Sequence, residues 1–132
     1  MSTRAQVYMK DSDVYLYQHC DGDNLMDTVV AAVNSDVGKG RQSDPEYLAR
    51  IIFCKMVKDN VGGETGFGIG TTEHSDIEYL VTVDCENKTI TEKQIYYPSL
   101  PKCIFPLAKK AIEMYNNGEY DGRKTLRVVK FE

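Results

Sequence analysis

Between Arg4 and Lys10 apolar and polar side chains alternate, with Ala5, Val7 and Met9 on one side and Arg4, Gln6 and Tyr8 on the other. A period of two is that of a strand with one buried face. Asp11-Ser12-Asp13 supplies turn chemistry, and Val14 to His19 alternates again, setting Val14 and Leu16 opposite Tyr15, Tyr17 and His19. The two runs predict a β-hairpin. After the break at Cys20-Asp21-Gly22-Asp23 the period changes. Leu25, Met26, Val29, Val30 and Val33 recur at helical spacing, with Asp23 or Asn24 placed to cap the helix by accepting a backbone N–H bond. Asn34 to Gln42, with Gly38 and Gly40, reads as a loop. Ser43-Asp44-Pro45-Glu46 opens a second helix, since proline in a first turn gives up no hydrogen bond. From Tyr47 to Val57 that helix is apolar almost all round, which predicts the most buried helix of the molecule. Arg50 stands inside this run and points to an internal salt bridge or a ligand contact.

The second half is richer in glycine and in strands. Asn60 to Thr72 contains Gly66-Phe67-Gly68-Ile69-Gly70, and if extended it points Phe67 and Ile69 one way and leaves the other side bare. Ile77 to Asp84 is expected as a strand with Ile77, Tyr79, Val81 and Val83 on one side. Cys85-Glu86-Asn87-Lys88 turns it into a further strand from Thr89 to Tyr96, which Pro98 and Pro101 end. A third helix fits Pro106 to Asn117 with Gly118 as its stop, and after a turn at Asp121-Gly122 a last strand runs from Thr125 to Phe131. Two hairpins, a helical pair between them and a late helix before a final strand predict one α+β domain over residues 1–132. Its sheet is mainly antiparallel, with about three helices packed mostly on one face. Strands and helices do not alternate regularly, which disfavours a doubly wound nucleotide fold.

Composition narrows the function classes. A 42% hydrophobic and 27% charged chain is that of an ordinary globular protein, and no apolar run approaches the length that crosses a bilayer. Met1-Ser2-Thr3-Arg4-Ala5-Gln6 does not read as a secretory signal, so a cytoplasmic location is expected. The net charge of −4 argues against general nucleic-acid binding, which needs a basic face. Cys20, Cys54, Cys85 and Cys103 stand singly, so neither a zinc site nor any other cofactor is expected, and they are read as small apolar side chains.

Several residues invite chemistry. The second face of the hairpin, with Arg4, Gln6, Tyr8, Tyr15, Tyr17 and His19, is unusually aromatic for a face left to water. It reads either as a packed layer or as a flat platform on which a ring stacks, with a cation and an imidazole at its edge. His19-Cys20-Asp21 brings imidazole, thiol and carboxylate close in sequence, yet neighbours on a strand point to opposite faces. His74, the other histidine, lies in a polar loop, so a two-histidine metal site would need a fold that returns it. The glycines of 66–70 have no lysine after them for a phosphate loop and no helix after them for a dinucleotide fold, which leaves only close approach of a ligand or a backbone. Arg123, Lys124, Arg127 and Lys130 gather late in an otherwise acidic chain, as protective charges on an edge strand or as a phosphate clamp to which Arg50 contributes.

The opening Ser2-Thr3-Arg4-Ala5, the motif Tyr17-Gln18-His19-Cys20-Asp21-Gly22, the stretch Gly66-Phe67-Gly68 and the segment from Asp76-Ile77-Glu78-Tyr79 to Asp84 resemble a family of small phage, prophage and plasmid-associated proteins. The family pattern continues after Asp-Gly with Tyr-Pro, where this chain has Asp23-Asn24. The size, the element order and a late Asp121-x-Arg123 are similar to those of anti-Thoeris phage proteins that sequester cyclic ADP-ribose-type immune signals. That resemblance implies an oligomeric, phage-encoded binding protein in the bacterial cytoplasm. It traps a small nucleotide-type ligand without cleaving it, stacking on the base and setting arginines on the phosphates. The ligand residues expected are Arg4, Tyr17, His19, Arg50, Phe67, Tyr79, Asp121, Arg123 and Arg127, with no catalytic and no metal-ligating residue. Two alternatives stay open, a protein-binding inhibitor of a bacterial defence nuclease and a small hydrolase using His19 and Asp21. Self-association is also expected, from the tyrosine-rich faces and the apolar edge of Leu126 to Phe131.

Overall fold

Six strands form one sheet in the order β3-β2-β1-β4-β5-β6. They are β1 (Ala5–Met9), β2 (Val14–Gln18), β3 (Phe67–Gly70), β4 (Tyr79–Asp84), β5 (Thr89–Ile95) and β6 (Arg123–Lys130). All neighbours are antiparallel except the central pair β1 and β4. The structure, a computed structural model, describes residues 3–95 and 123–132. The helix expected over Pro106–Asn117 with its Gly118 stop, the strand end at Pro98 and Pro101, the Asp121-Gly122 turn, Cys103 and the ligand residue Asp121 lie outside the described residues.

The α+β class and the mainly antiparallel sheet expected from sequence are those observed. In the β1–β2 turn Asp11 (φ 69°) and Asp13 (φ 55°) take the left-handed conformation that aspartate tolerates, and the Ser12 hydroxyl donates to the Met9 carbonyl at 2.8 Å. The β4–β5 turn is organised by Asp84, whose carboxylate accepts from the backbone N–H groups of Glu86 and Asn87, each at 3.0 Å, and from the Asn87 side chain at 2.8 Å. Those bonds, helped by Lys10 Nζ at 3.3 Å, hold the Asp84 carboxyl below its ordinary pKa.

Between β2 and β3 the chain forms α1 (Leu25–Val33), the short α2 (Asp36–Lys39) and α3 (Pro45–Met56). These pack on one face of the sheet, where Val7, Met9, Leu16, Val81, Val83 and Ile90 meet Leu25, Met26, Val29, Val33, Leu48 and Ile52 in one buried cluster. As expected, Asp44 caps α3, accepting the Tyr47 N–H at 3.2 Å, with Pro45 in the first turn.

Five expectations are corrected. α3 is not buried all round: Leu48, Ala49, Ile51, Ile52 and Met56 face the core, while Tyr47, Arg50, Cys54 and Lys55 are exposed, so the helix is amphipathic and Arg50 forms no salt bridge among the described residues. The stretch 34–42 is not all loop, because Ser35 caps α2 by accepting the Gly38 N–H at 3.1 Å. Neither Asp23 nor Asn24 caps α1 with its side chain. A 3-10 turn over Gly22–Asn24 feeds the helix directly, entered through Asp21 in the left-handed conformation. Ile77 does not share a side with Tyr79, Val81 and Val83: it packs with Leu80 and Ile95 on the opposite face, where the chain arrives before joining the sheet. The cysteines are not uniformly packed apolar groups, for Cys20 and Cys54 are exposed and only Cys85 of the described three is half-buried, its thiol pushed up by burial.

Candidate ligand site on the tyrosine face

The same strands that bury Val7, Met9 and Leu16 turn Gln6, Tyr8, Tyr15 and Tyr17 to the side away from the helices. The antiparallel register sets Tyr8 opposite Tyr15 and Gln6 opposite Tyr17. Tyr8 and Tyr15 stack, ring centroids 4.8 Å apart and planes 25° from parallel. Burial raises the Tyr15 phenol above its ordinary pKa, Glu73 and Tyr8 add to the rise and Arg123 opposes it, so the hydroxyl is a neutral donor at physiological pH.

β3 and β4 run parallel, so the segment 71–78 must return across the sheet to begin β4 beside the start of β1. It does so over the tyrosine face, and Gln6 fastens it there. The Gln6 side chain has no exposed surface; its Nε2 donates to the Thr72 carbonyl at 3.2 Å and its Oε1 accepts the His74 N–H at 2.8 Å. Both ends of the amide are thereby satisfied, which a buried glutamine requires. The strap so held places His74 against Tyr17, ring centroids 4.7 Å apart. From the other side His19 Nδ1 and the Tyr17 hydroxyl share a 3.1 Å hydrogen bond whose direction follows the imidazole tautomer. Both histidines thus converge on one tyrosine. The strap also sets Glu73 to pair with Arg123 and Asp76 to pair with Arg4 at 3.6 Å, which puts two arginines at the margin of the face.

On the outer side of Tyr15 and Tyr17 lies β3, which presents Gly70 opposite Tyr15 and Gly68 opposite Tyr17. Among the described residues a Cβ added at either glycine would meet nothing within 4 Å. With respect to those residues the rings border a strip of bare backbone along β3.

Of the residues expected in the site, the structure brings Tyr17, His19 and Arg123 to this face and Arg4 to its rim. Tyr79 and Phe67 point to the helix side, half-buried against the core, and burial, with Asp23 and Glu92, raises the Tyr79 phenol. Arg127 pairs with Asp27 of α1 at 2.7 Å, again on the helix side. Arg50 is exposed on α3, with Cys54 Sγ 3.9 Å from its Nη1. His19 bonds the Tyr17 hydroxyl through Nδ1, and no hydrogen bond or ion pair joins it to Asp21 among the described residues. Among the described residues no group of three or more His, Cys, Asp or Glu side chains is placed to hold a metal ion. Sequence reasoning missed Gln6 as the anchor, Glu73 and His74 as its cargo, and the pairing of the glycines with the tyrosines. Bare glycine alternating with apolar residues was the one signal available for any of these.

Comparison of the chain with protein-family models, with curated proteins and with solved structures gives no match. No helix among the described residues is long and apolar enough to cross a membrane.

Proposed function

We propose that the tyrosine face receives the planar ring of a small nucleotide-type ligand along the open strip of Gly68 and Gly70, and that the protein acts by holding this ligand intact. The observation that carries the reading is the strip itself: two tyrosines border backbone that no side chain of the described residues covers, so a ring can approach the sheet closely there. His19, His74 and the hydroxyls of Tyr15 and Tyr17 supply hydrogen bonds to a base edge. Arg123 and Arg4, which pair with Glu73 and Asp76, supply charge to a phosphate that displaces those carboxylates. In the setting that the phage-family resemblance implies, the ligand is a cyclic ADP-ribose-like or cyclic oligonucleotide immune signal, and its capture counters a bacterial defence.

The test is incubation with a panel of such cyclic nucleotides, followed by denaturation and analysis of what is released. Intact ligand supports capture, turnover replaces it with the hydrolase reading, and retention of a host protein with no small molecule replaces it with the inhibitor reading. Tyr17→Ala removes one stacking face and is expected to weaken binding by about 1–3 kcal/mol. Gly68→Val fills the strip at a backbone conformation that valine accepts, so binding should fall while the thermal midpoint is kept or raised. Unchanged binding in both variants would place the ligand elsewhere.

A further inference from the structure

On the opposite side of the molecule, the helical layer carries a hollow of about 360 Å³ between the end of α1, α2 and the outer face of α3. This is the lower end of the range of small-molecule sites, roughly 300–1,000 Å³. Its apolar lining comes from Ala32, Val37 and Ile51, and Val37 is 65% exposed, an aliphatic side chain held open to water beside the hollow. Its charged lining comes from Arg50, Lys55 and Lys58. Arg50 and Lys55 belong to α3, and Lys58 follows just beyond its end. None of the three makes an ion pair with a carboxylate among the described residues. The hollow is lined by three cations and by no carboxylate, a local excess of positive charge in a chain of net charge −4.

We infer that this hollow is a second binding site, for a small amphipathic anion: an aliphatic or aromatic body resting on Ala32, Val37 and Ile51, and a carboxylate or sulfonate headgroup among Arg50, Lys55 and Lys58. The two halves of the lining select for both properties together. A neutral apolar molecule leaves the cations unanswered, and a small hydrophilic anion leaves Val37 in water. Arg50 supplies the forked donor geometry that matches a carboxylate, and the lysines add adaptable point charges. The site is independent of the tyrosine face, from which the sheet separates it.

The test uses the full chain and the fluorescent anion anilinonaphthalenesulfonate, displaced by decanoate or by decanol. Decanoate is expected to displace the probe at concentrations at least about tenfold below those of decanol. The double variant Arg50→Gln/Lys58→Gln, at exposed positions, is expected to weaken decanoate by about fivefold or more, as two solvent-exposed ion pairs imply. Val37→Glu is expected to abolish probe binding by putting a charge where the apolar body rests and a carboxylate that answers the cations in the probe's place, and Lys88→Gln, which removes a cation from the exposed β4–β5 turn, is expected to change nothing. Equal displacement by decanol, unchanged affinity in the double variant, or loss of probe binding in Lys88→Gln would each overturn the assignment. Capture of a partner protein through this surface with no affinity for either anion would overturn it as well.

Discussion

The two faces of the sheet are built from the same strands by opposite means. Val7 and Tyr8 are neighbours in β1, yet Val7 is sealed under the helices while Tyr8 stacks on Tyr15 beneath no helix described here. The helix face is closed by aliphatic side chains whose attraction is non-directional and tolerant of detail. The tyrosine face has a smaller buried cluster, Ile77, Leu80 and Ile95 with the tyrosines packed on it, and adds directional contacts: a buried amide, stacked rings, two imidazoles and two ion pairs. The larger apolar cluster therefore lies in one layer and the directional network in the other. An alternating strand gives both to adjacent residues.

Substitutions should separate the two layers by the size of their effects. Ile52→Ala, in the fully buried cluster under the helices, is expected to cost about 2–5 kcal/mol in urea unfolding and to leave the Gln6 bonds of the far face in place. Asp84→Ala, which strips the β4–β5 turn of its acceptor, is expected to cost about 2 kcal/mol at neutral pH. That loss should depend on acidity. Because the folded pKa lies below the ordinary 3.8, the stabilisation is complete above 3.8 and disappears as pH falls through the lower, folded value. Parent and variant should accordingly converge in acid. Gln6→Ala is expected to cost about 1–3 kcal/mol, since it orphans the Thr72 carbonyl and the His74 N–H. Its sharper signature is faster amide exchange across 71–78 with the helix face unchanged. Tyr8→Leu, which removes the stack on Tyr15 and keeps an apolar side chain beside the Ile77, Leu80 and Ile95 cluster, is expected to cost about 0.5–1.5 kcal/mol, the smallest effect of the four. If Tyr8→Leu cost as much as Ile52→Ala, the division of labour between the faces would be wrong.

Much of this arrangement was legible where local chemistry decides it. Alternation located β1, β2 and β4, helical spacing located α1, and Asp44-Pro45 marked the start of α3. What was not legible depends on how distant segments meet. A polar Gln6 at an alternating position reads as a solvent-facing residue, and only the return of 71–78 over the sheet makes it a buried anchor. Tyr17 and Tyr79 look alike as aromatic strand residues, but their registers against β1 put them on opposite faces: Tyr17 pairs with Gln6 and Tyr79 with Ala5. Arg50 falls in a run of apolar residues, and the run was mistaken for an all-round core because Tyr47 and Cys54 count as apolar in composition while standing in water.

The single parallel pairing, which brings Ala5 beside Tyr79, also governs how the chain reaches this form. The β1–β2 and β4–β5 hairpins close over short turns, a step of roughly 1–10 μs for an isolated hairpin. The seam between β1 and β4 has no such turn and waits on closure of everything from Lys10 to Glu78, so its side-chain packing is expected to be completed last, after the folding barrier is crossed. Contacts made only after the barrier is crossed change the unfolding rate and leave the folding rate nearly untouched. Side chains along the seam, Val7 against Val81 above all, are thus expected to set the lifetime of the assembled sheet rather than the speed of its assembly.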